Sequence, residues 1–408
     1  MSLAVALPPT TVRTVPIADP GDLLTRLPRE RALVWVRGGD GLVGWGELAR
    51  LDVRGSDSFA LAASWWAEQC SSMVVDDAVS LPGSGPVCFG SAAFDRRTAE
   101  SVFVIPRVVL GRLGGRTWLT TFGADRTLPA PSRPSGPDTV AYSDGALSQA
   151  QWCAAVAAAV ERIRSGDLDK VVLARDLLAR TEPAVDPRFL LQGLARRYPE
   201  CWTFAVDGLL GSTPELLISR RGRRITSRVL AGTVRRGRDA EDERLVAELV
   251  GSSKDQEEHR YAVRSVADVL SPYCRELLTP DMPDVLRLAT VAHLATEVNG
   301  RLAQDTAVLS LVDALHPTAA VCGTPTDLAL DVIPELERMD RGRYAGPVGW
   351  MDAAGDGDWG IALRCAAVDG TRVRLFAGCG IVAGSDPTAE LAESHAKLVT
   401  IRDALEGL

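Results

Sequence analysis

The sequence has little of what a membrane, a secretory pathway or a nucleic acid would require. No uncharged apolar run reaches the roughly 18 residues of a membrane-spanning helix. The first nine residues lack the basic segment and the apolar length of a signal peptide. The 45 basic and 53 acidic side chains leave a net charge of −8, which disfavours a phosphate backbone or an anionic membrane as the main partner. We therefore expect a cytoplasmic protein whose partner is neither nucleic acid nor membrane.

Motifs for common metal sites and hydrolases are also missing. The eight cysteines form no C-x-x-C pair and no short repeating spacing, which makes a zinc ribbon or a disulfide scaffold unlikely and predicts buried thiols instead. Only four histidines occur, and neither H-E-x-x-H nor G-x-S-x-G is present, which excludes a zincin and an α/β-hydrolase at the level of motifs.

Length and composition indicate a soluble globular protein. The 408 residues are 46% apolar and 24% charged, enough to build a large core in one large domain or a few smaller ones. The first 125 or so residues are typical of short strands separated by glycine turns. Residues 127–138 contain four prolines and predict a linker or a long surface loop.

Helix and strand signals become stronger after residue 138. Ser148 and Gln151 form a capping box before an apolar periodic run, and Asp386 with Pro387 opens the last helix. Further helices are predicted at 187–197 and 240–271, and strands at 170–174, 284–298, 347–352, 359–368 and 371–377, with a hairpin at 215–227. Because strands and helices do not alternate strictly, the pattern favours an α+β fold over a doubly wound sheet.

Two predicted helices carry acidic side chains on one face. Glu390, Glu393 and Lys397 lie at i, i+3 and i+7, and Asp255 and Glu258 at i and i+3. If the helices faced each other, the carboxylates would suit Mg²⁺, which prefers oxygen ligands. A solvated charged surface explains the same spacing. The glycine-rich segment 378–384 predicts a strand-to-helix turn whose amides either approach an anion or form a plain turn.

Ionisable side chains also interrupt apolar strands. Lys170 and Glu215 lie at strand ends, where burial would lower the pKa of the lysine and raise that of the glutamate, although ordinary edge positions are the commoner case. An inward Arg364 would need a carboxylate from the protein or from a ligand. His293 and His316 lie in apolar stretches, where a hydrogen-bonded core histidine is the default.

Ordered blocks of this sequence resemble the chorismate-utilising enzymes, which include isochorismate, salicylate, anthranilate and aminodeoxychorismate synthases. The resemblance covers about 260 residues, roughly 145–405, and is loose over the first 140. The matching blocks, completed by the Glu390, Glu393 and Lys397 helix, are Lys170–Arg175, Ser212–Leu217, Leu230–Arg236, Ser253–His259, His293–Thr296, Leu315–Thr318, Tyr344–Gly349, Ala362–Cys365 and Phe376–Val382.

The resemblance implies a compact α+β fold of large antiparallel sheets packed with helices, like anthranilate synthase component I. The N-terminal β-rich part would span 1–126, a Pro-rich loop 127–138, and the chorismate-binding region 139–408. It further implies that Glu258, Glu390 and Glu393 hold Mg²⁺, with Asp255 as a supporting carboxylate. The residues implied to bind substrate are Gly232, His293, Ala320, Tyr344, Arg364, Gly378, Gly380 and Lys397.

Roles within this set also follow from the resemblance. Tyr344 and Arg364 would clamp the enolpyruvyl carboxylate of chorismate, helped by backbone amides at Gly378 and Gly380. Lys397 and His293 would line the ring-carboxylate side.

The reaction is implied by two further positions. Enzymes of this family that add water have a lysine where Lys170 lies, whereas aminating enzymes typically have glutamine. Lys170, when neutral, would take a proton from water attacking ring C2, and protonated Glu215 would supply one to the departing C4 hydroxyl. Ala320 replaces the threonine typical of relatives that also eliminate pyruvate. The expected enzyme is therefore an isochorismate synthase, monomeric and without an obligatory protein partner.

Two alternatives stay open at this point. One is a salicylate synthase, and the other is a catalytically silent homologue that only binds chorismate. The sequence leaves undecided whether the product would serve menaquinone or siderophore biosynthesis.

Overall fold

The structure is a computed structural model that describes residues 9–29, 31–123, 127–237 and 239–408. The absence of a signal peptide was predicted from residues 1–9. Residues 1–8 lie outside the described residues. Among the helices that are described, none is both long and apolar enough to cross a membrane.

The described residues form 21 strands and eight α-helices. The strands are β1 Thr10–Pro16, β2 Leu33–Arg37, β3 Asp40–Val53, β4 Met73–Asp77, β5 Val87–Ser91, β6 Ser101–Leu113, β7 Arg116–Phe122, β8 Thr139–Asp144, β9 Lys170–Glu182, β10 Trp202–Val206, β11 Leu209–Thr213, β12 Leu216–Arg221, β13 Arg224–Arg235, β14 Cys274–Leu278, β15 Asp284–Arg287, β16 Val291–Leu302, β17 Gly323–Thr324, β18 Pro347–Asp352, β19 Gly357–Ile361, β20 Cys365–Asp369 and β21 Arg372–Ile381. The helices are α1 Ser58–Ser71, α2 Gln149–Arg164, α3 Pro187–Arg197, α4 Ala240–Gly251, α5 Ser253–Leu270, α6 Val308–Leu315, α7 Thr326–Glu337 and α8 Pro387–Glu406.

Two long branches of antiparallel strands leave β6, which also pairs with β7. The first branch runs β6–β3–β2–β10–β11–β20–β21–β9. The second runs β6–β5–β18–β19–β12–β13–β16. A parallel pair, β1 with β4, lies outside both branches. Large antiparallel sheets with helices are the fold class that the sequence predicted, and that prediction is confirmed.

Large aromatic side chains fill the space between the two branches. Trp35 and Phe204 from the first branch share one buried cluster with Phe89 and Trp359 from the second, and each is at most 2% exposed. A Cβ atom at Gly90 would lie 2.5 Å from Trp359, so this strand position has room only for glycine. Full burial of each large apolar side chain contributes roughly 1.5–3 kcal/mol, so this layer stabilises the packing of the two branches.

Helix α8 packs its apolar face on the outer side of β21. Leu398, Ile401 and Leu405 belong to a second buried cluster that includes Leu375 of β21. The helix begins as predicted, because the Asp386 side chain accepts hydrogen bonds from the amides of the first turn. The charged residues Glu390, Glu393 and Lys397 lie nearer the start of the helix, where Lys397 donates to the carbonyl of Gly378 in the same strand.

The chain crosses between the two branches at two neighbouring places. One crossing joins β11 to β12 and contains Glu215, and the other joins β19 to β20 and contains Arg364. The amide of Ser212 donates to the carbonyl of Arg364 at 3.1 Å, and the amide of Ile361 donates to the carbonyl of Glu215 at 3.3 Å. These bonds bring together two side chains that are 149 positions apart in the sequence.

Several local predictions agree with the structure. The capping box of Ser148 and Gln151 is formed at the start of α2, and α3 has the predicted bounds. The hairpin predicted at 215–227 is the β12–β13 pair. Each of these signals depends on residues close in sequence.

Four local predictions were wrong. The single strand predicted at 284–298 is two antiparallel strands, β15 and β16, which are joined through residues 288–290. The single helix predicted at 240–271 is two helices, because Ser252 adopts an extended conformation and caps α5. The strand predicted at 359–368 is broken at Arg364, whose φ is 47°. Gly378 and Gly380 lie inside β21, paired with β9, rather than in a turn before α8. A Cβ at Gly380 would lie 3.1 Å from the Cε of Lys170, so the glycine makes room for the lysine.

Residues 127–138 form neither a helix nor a strand, and they pack on α3. The amide of Ser132 donates to the carbonyl of Thr25 at 2.8 Å, and Arg188 donates to the Ser132 hydroxyl at 2.8 Å. A Cβ at Gly136 would lie 2.6 Å from the Phe189 ring. The division of the chain at this loop into 1–126 and 139–408 stays a prediction.

Candidate active site

A cavity of about 130 Å³ lies beside the two crossings and under α8. Larger surface grooves of about 410 and 510 Å³ include none of the predicted site residues among the residues described. Eight predicted residues line the smaller cavity: Glu215, His293, Ala320, Tyr344, Arg364, Gly378, Gly380 and Lys397. The tertiary structure therefore brings most of the predicted substrate-binding set to one place.

Glu215 provides a protonated carboxyl in this cavity. Its side chain is buried, and burial raises its pKa to about 8, an effect opposed by the positive charges of Lys170 and Lys397. At neutral pH the group therefore keeps its proton and can donate it. The catalytic role of Glu215 as an acid stays a prediction.

Lys170 begins β9 and lies beside Gly380 at the edge of the cavity, although it is not itself among the described lining residues. Its Nζ donates to an Oε atom of Glu258 at 2.9 Å, and the lysine side chain is 20% exposed. The close approach to Gly380 places the ammonium group beside the cavity-lining part of β21. The predicted base and a predicted metal ligand thus form an ion pair with each other.

Arg364 and Tyr344 form a buried, positively charged corner. Burial lowers the pKa of Arg364, and within the described residues its guanidinium group forms no ion pair with a carboxylate. The ring of Tyr344 stacks on Phe376, with 4.8 Å between centroids and 9° between planes. A buried arginine without a counter-charge is costly, so this corner is suited to an anionic ligand.

His293 presents a free ring nitrogen. Its Nδ1 lies 2.9 Å from the Thr233 hydroxyl, whereas its buried Nε2 has no hydrogen-bond partner in the described structure. Burial, together with the charges of Arg364 and Lys397, lowers the pKa of His293 to about 3. The imidazole is therefore neutral. His316, by contrast, bonds the carbonyl of Phe94 at 2.9 Å and is a core histidine.

Lys397 joins α8 to the cavity wall. Its Nζ donates to the carbonyl of Gly378 at 2.8 Å and contacts an Oε atom of Glu393 at 2.7 Å. A Cβ at Gly378 would lie 3.0 Å from the hydroxyl of Tyr344. The glycine is therefore needed for these groups to share the cavity.

Two of the four predicted metal ligands lie together. Donor atoms of Glu390, Glu393 and Cys379 lie within 4.8 Å of one another, and burial raises the pKa of Glu390. In the ranges that the structure covers, this group includes neither Glu258 nor Asp255. Glu258 contacts Lys170 instead.

The predicted metal ligand Asp255 and the predicted substrate residue Gly232 lie next to each other. A Cβ at Gly232, whose φ is 78°, would lie 3.4 Å from the Cβ of Asp255. Neither residue lines the cavity as the structure describes it.

Ten further lining residues of the described cavity were not predicted as site residues, among them Thr233, Arg341 and Phe376. Thr233 and Phe376 lie inside blocks that the resemblance used, directly beside or near glycines predicted to bind substrate. Arg341 had only a weak signal, an acidic residue four positions earlier at Glu337, which is an ordinary helix spacing.

Comparisons with known proteins agree with this geometry. A family model described as "Chorismate binding enzyme" matches residues 123–406. The chain is 43% identical over 257 residues to isochorismate synthase DhbC of Bacillus subtilis, an alignment covering 60% of this chain and 65% of that relative. It therefore spans slightly less than two thirds of the length of that protein.

Solved structures extend the likeness to the whole fold. The menaquinone-specific isochorismate synthase MenF of Escherichia coli superimposes with a TM-score of 0.82 at 28% identity, covering 98% of this chain and 96% of that one. Anthranilate synthase component I of Streptococcus pneumoniae, at 19% identity and a TM-score of 0.73 over 94% of this chain and 95% of that one, shares the fold. The architecture is thus the anthranilate synthase component I-like fold. The chain belongs to the family of chorismate-binding enzymes.

Proposed function

We propose that the chain is an isochorismate synthase, which isomerises chorismate to isochorismate. The observation that carries the proposal is a buried carboxyl, Glu215, whose pKa of about 8 keeps it protonated, in a cavity edged by Lys170. In this reaction a water molecule attacks the ring and a hydroxyl group leaves it. The two proton transfers require an acid and an amine on either side of the bound ring.

The cavity offers positive and neutral donors for the two carboxylates of chorismate. Arg364 and Tyr344 take the enolpyruvyl carboxylate, because no carboxylate among the described residues pairs with the guanidinium. Lys397 and the unpartnered Nε2 of His293 lie on the ring-carboxylate side. Gly378 and Gly380 leave space and backbone groups along the ligand.

The proton balance assigns opposite roles to the two catalytic side chains. Lys170 accepts a proton from the water that attacks C2, and Glu215 gives its proton to the hydroxyl that leaves C4. One water enters and one leaves, so the net reaction is an isomerisation. Lys170 Nζ donates to Glu258 at 2.9 Å, so that carboxylate has to leave Lys170 before the amine can reach the attacking water.

The donor set fits Mg²⁺ better than a soft metal. Glu390 and Glu393 offer hard oxygen ligands, whereas burial raises the pKa of the Cys379 thiol to about 12 and keeps it protonated. Glu258 would join these two carboxylates on leaving Lys170, with Asp255 in support. When bound, the ion neutralises the charge of the ring carboxylate.

The test is chromatographic product analysis after incubation with chorismate, with and without Mg²⁺. Isochorismate formed only with the metal supports the proposal. Salicylate with pyruvate would assign the chain to the lyase branch instead, and an absence of turnover would favour a silent homologue. Lys170→Ala should abolish water addition while chorismate still binds, so full activity of that variant would remove the proposed base.

The proposed enzyme acts as a cytoplasmic monomer on a small molecule, without a protein partner. Size-exclusion chromatography with light scattering tests the oligomeric state.

A further inference from the structure

One edge of β9, next to the proposed catalytic lysine, has a gap between its neighbouring strands. β21 pairs with one edge of β9 from Val171 to Arg180. On the other edge, β17 pairs with Lys170 and Val171, and β8 pairs from Leu177 onward. Within the described chain, residues 172–176 therefore face no strand on this side.

A buried ion pair occupies this gap. Glu337 Oε1 accepts a hydrogen bond from the amide of Ala174 at 2.6 Å, and Arg341 Nη2 donates to the carbonyl of Val172 at 2.7 Å. The amide of Val172 donates to the carbonyl of Cys322 at 2.7 Å. The carboxylate and the guanidinium thus provide the acceptor and the donor that a neighbouring strand would otherwise supply.

The same guanidinium also holds the loop that carries Ala320. Arg341 Nη1 donates to the carbonyl of Val321 at 2.9 Å, and the fork pairs with Glu337 through contacts of 2.5 and 3.0 Å. Glu337 and Arg341 are 2% and 4% exposed. Both side chains are therefore committed to protein partners, although Arg341 borders the cavity.

We propose that Glu337 and Arg341 are positioning residues for the reaction at this site, a statement that rests on the proposed function. They complete the open edge of β9 and fix Lys170 and Ala320 relative to each other. Lys170 lies two positions before Val172 on the same face of the strand. A misplacement of about 1 Å at a reacting group can cost about 100-fold in rate. A β9 edge held in place by Glu337 and Arg341 would keep Lys170 in its reactive position.

The test uses two variants of the β9 edge and one control variant, and together they separate an effect on positioning from an effect on stability. Arg341→Lys keeps the charge but loses the planar fork that reaches both carbonyls. The double variant Glu337→Leu with Arg341→Met replaces the buried ion pair with apolar groups, an exchange that is often neutral for the two charges themselves. It leaves the amide of Ala174 and the carbonyl of Val172 without their side-chain partners. Arg220→Met is the matched control, because Arg220 is also buried and ion-paired, at the far end of β12.

Steady-state kinetics with chorismate, normalised to the folded fraction, gives the first readout. We expect kcat to fall about 10- to 100-fold in Arg341→Lys and in the double variant, with KM changed less than about threefold. Arg220→Met should keep kcat per folded molecule. A kcat per folded molecule within about twofold of the parent in both β9-edge variants would overturn the proposal and leave the pair a purely structural role.

Amide hydrogen exchange gives a second readout that needs no turnover. Peptides covering 171–175 should exchange at least about tenfold faster in the double variant, and the parental rate should persist there in Arg220→Met. Unchanged exchange would show that the pair does not complete the edge. If the parent itself fails to convert chorismate, the proposed function fails, and the exchange result still decides whether the pair closes β9.

Discussion

Replacing Glu215 with glutamine should stabilise the protein while removing its activity. Burial raises the pKa of this carboxyl from 4.5 to about 8. At about 1.36 kcal/mol for each pKa unit, the ionised form costs the folded state roughly 5 kcal/mol. Glutamine has nearly the same shape and carries no charge at any pH. The difference in free energy of unfolding between the variant and the parent therefore measures how much a buried ionisable carboxyl destabilises the folded protein.

The sign of the pH dependence follows from proton binding. In the unfolded chain Glu215 loses its proton near pH 4.5, whereas in the folded protein it keeps the proton up to about pH 8. Between these values the folded state binds more protons, so its stability falls as the pH rises. The advantage of Glu215→Gln in free energy of unfolding should grow by about 1.4 kcal/mol per pH unit over this range and then level off.

Urea unfolding of the parent and the variant between about pH 4 and 9 measures this difference. Glu68→Gln is the control, because Glu68 is exposed on α1, and its curve should stay parallel to that of the parent. Activity of Glu215→Gln should drop by about 10²- to 10⁴-fold, since an amide cannot supply the proton. A stability difference that does not change with pH would refute the buried, protonated carboxyl. Near-normal activity would refute its role as the acid.

Three further predictions concern the other parts of the site. Arg364→Met should raise KM for chorismate about 10- to 100-fold through the loss of a charge-assisted contact, and an unchanged KM in steady-state assays would exclude the proposed carboxylate clamp. Glu393→Gln should raise the Mg²⁺ concentration for half-maximal activity at least about tenfold, and calorimetric titration that finds equal Mg²⁺ affinity in parent and variant would contradict the ligand assignment. Gly380→Ala places a Cβ 3.1 Å from the Cε of Lys170, so kcat should fall while the thermal unfolding temperature changes little; normal turnover would mean that the position of the lysine is not critical.

Local sequence signals predicted the elements that depend on neighbouring residues. The start of α8 at Asp386 and Pro387 needs only a side-chain acceptor followed by a residue without an amide hydrogen. The break between α4 and α5 has a local cause too, the Ser252 cap. It was missed because the apolar and acidic pattern continues across it.

The site was predicted mainly through resemblance, because its residues come from distant parts of the chain. Lys170 and Glu258 are 88 positions apart and form an ion pair, a contact that no local pattern contains. The sequence predicted both as functional residues with separate roles, and only the packing of α5 near β9 places them in contact.

By itself the sequence determined which residue types are available, the α+β class and the periodicity of most helices, because these follow from spacing over a few residues. The tertiary structure decided the protonation of Glu215, the lack of a carboxylate partner for Arg364 among the described residues, and the gap in β9 that Glu337 and Arg341 fill. Each of these depends on burial and on strand pairing between segments far apart in the chain. The free energies involved arise only when water is excluded from a space that several elements enclose together.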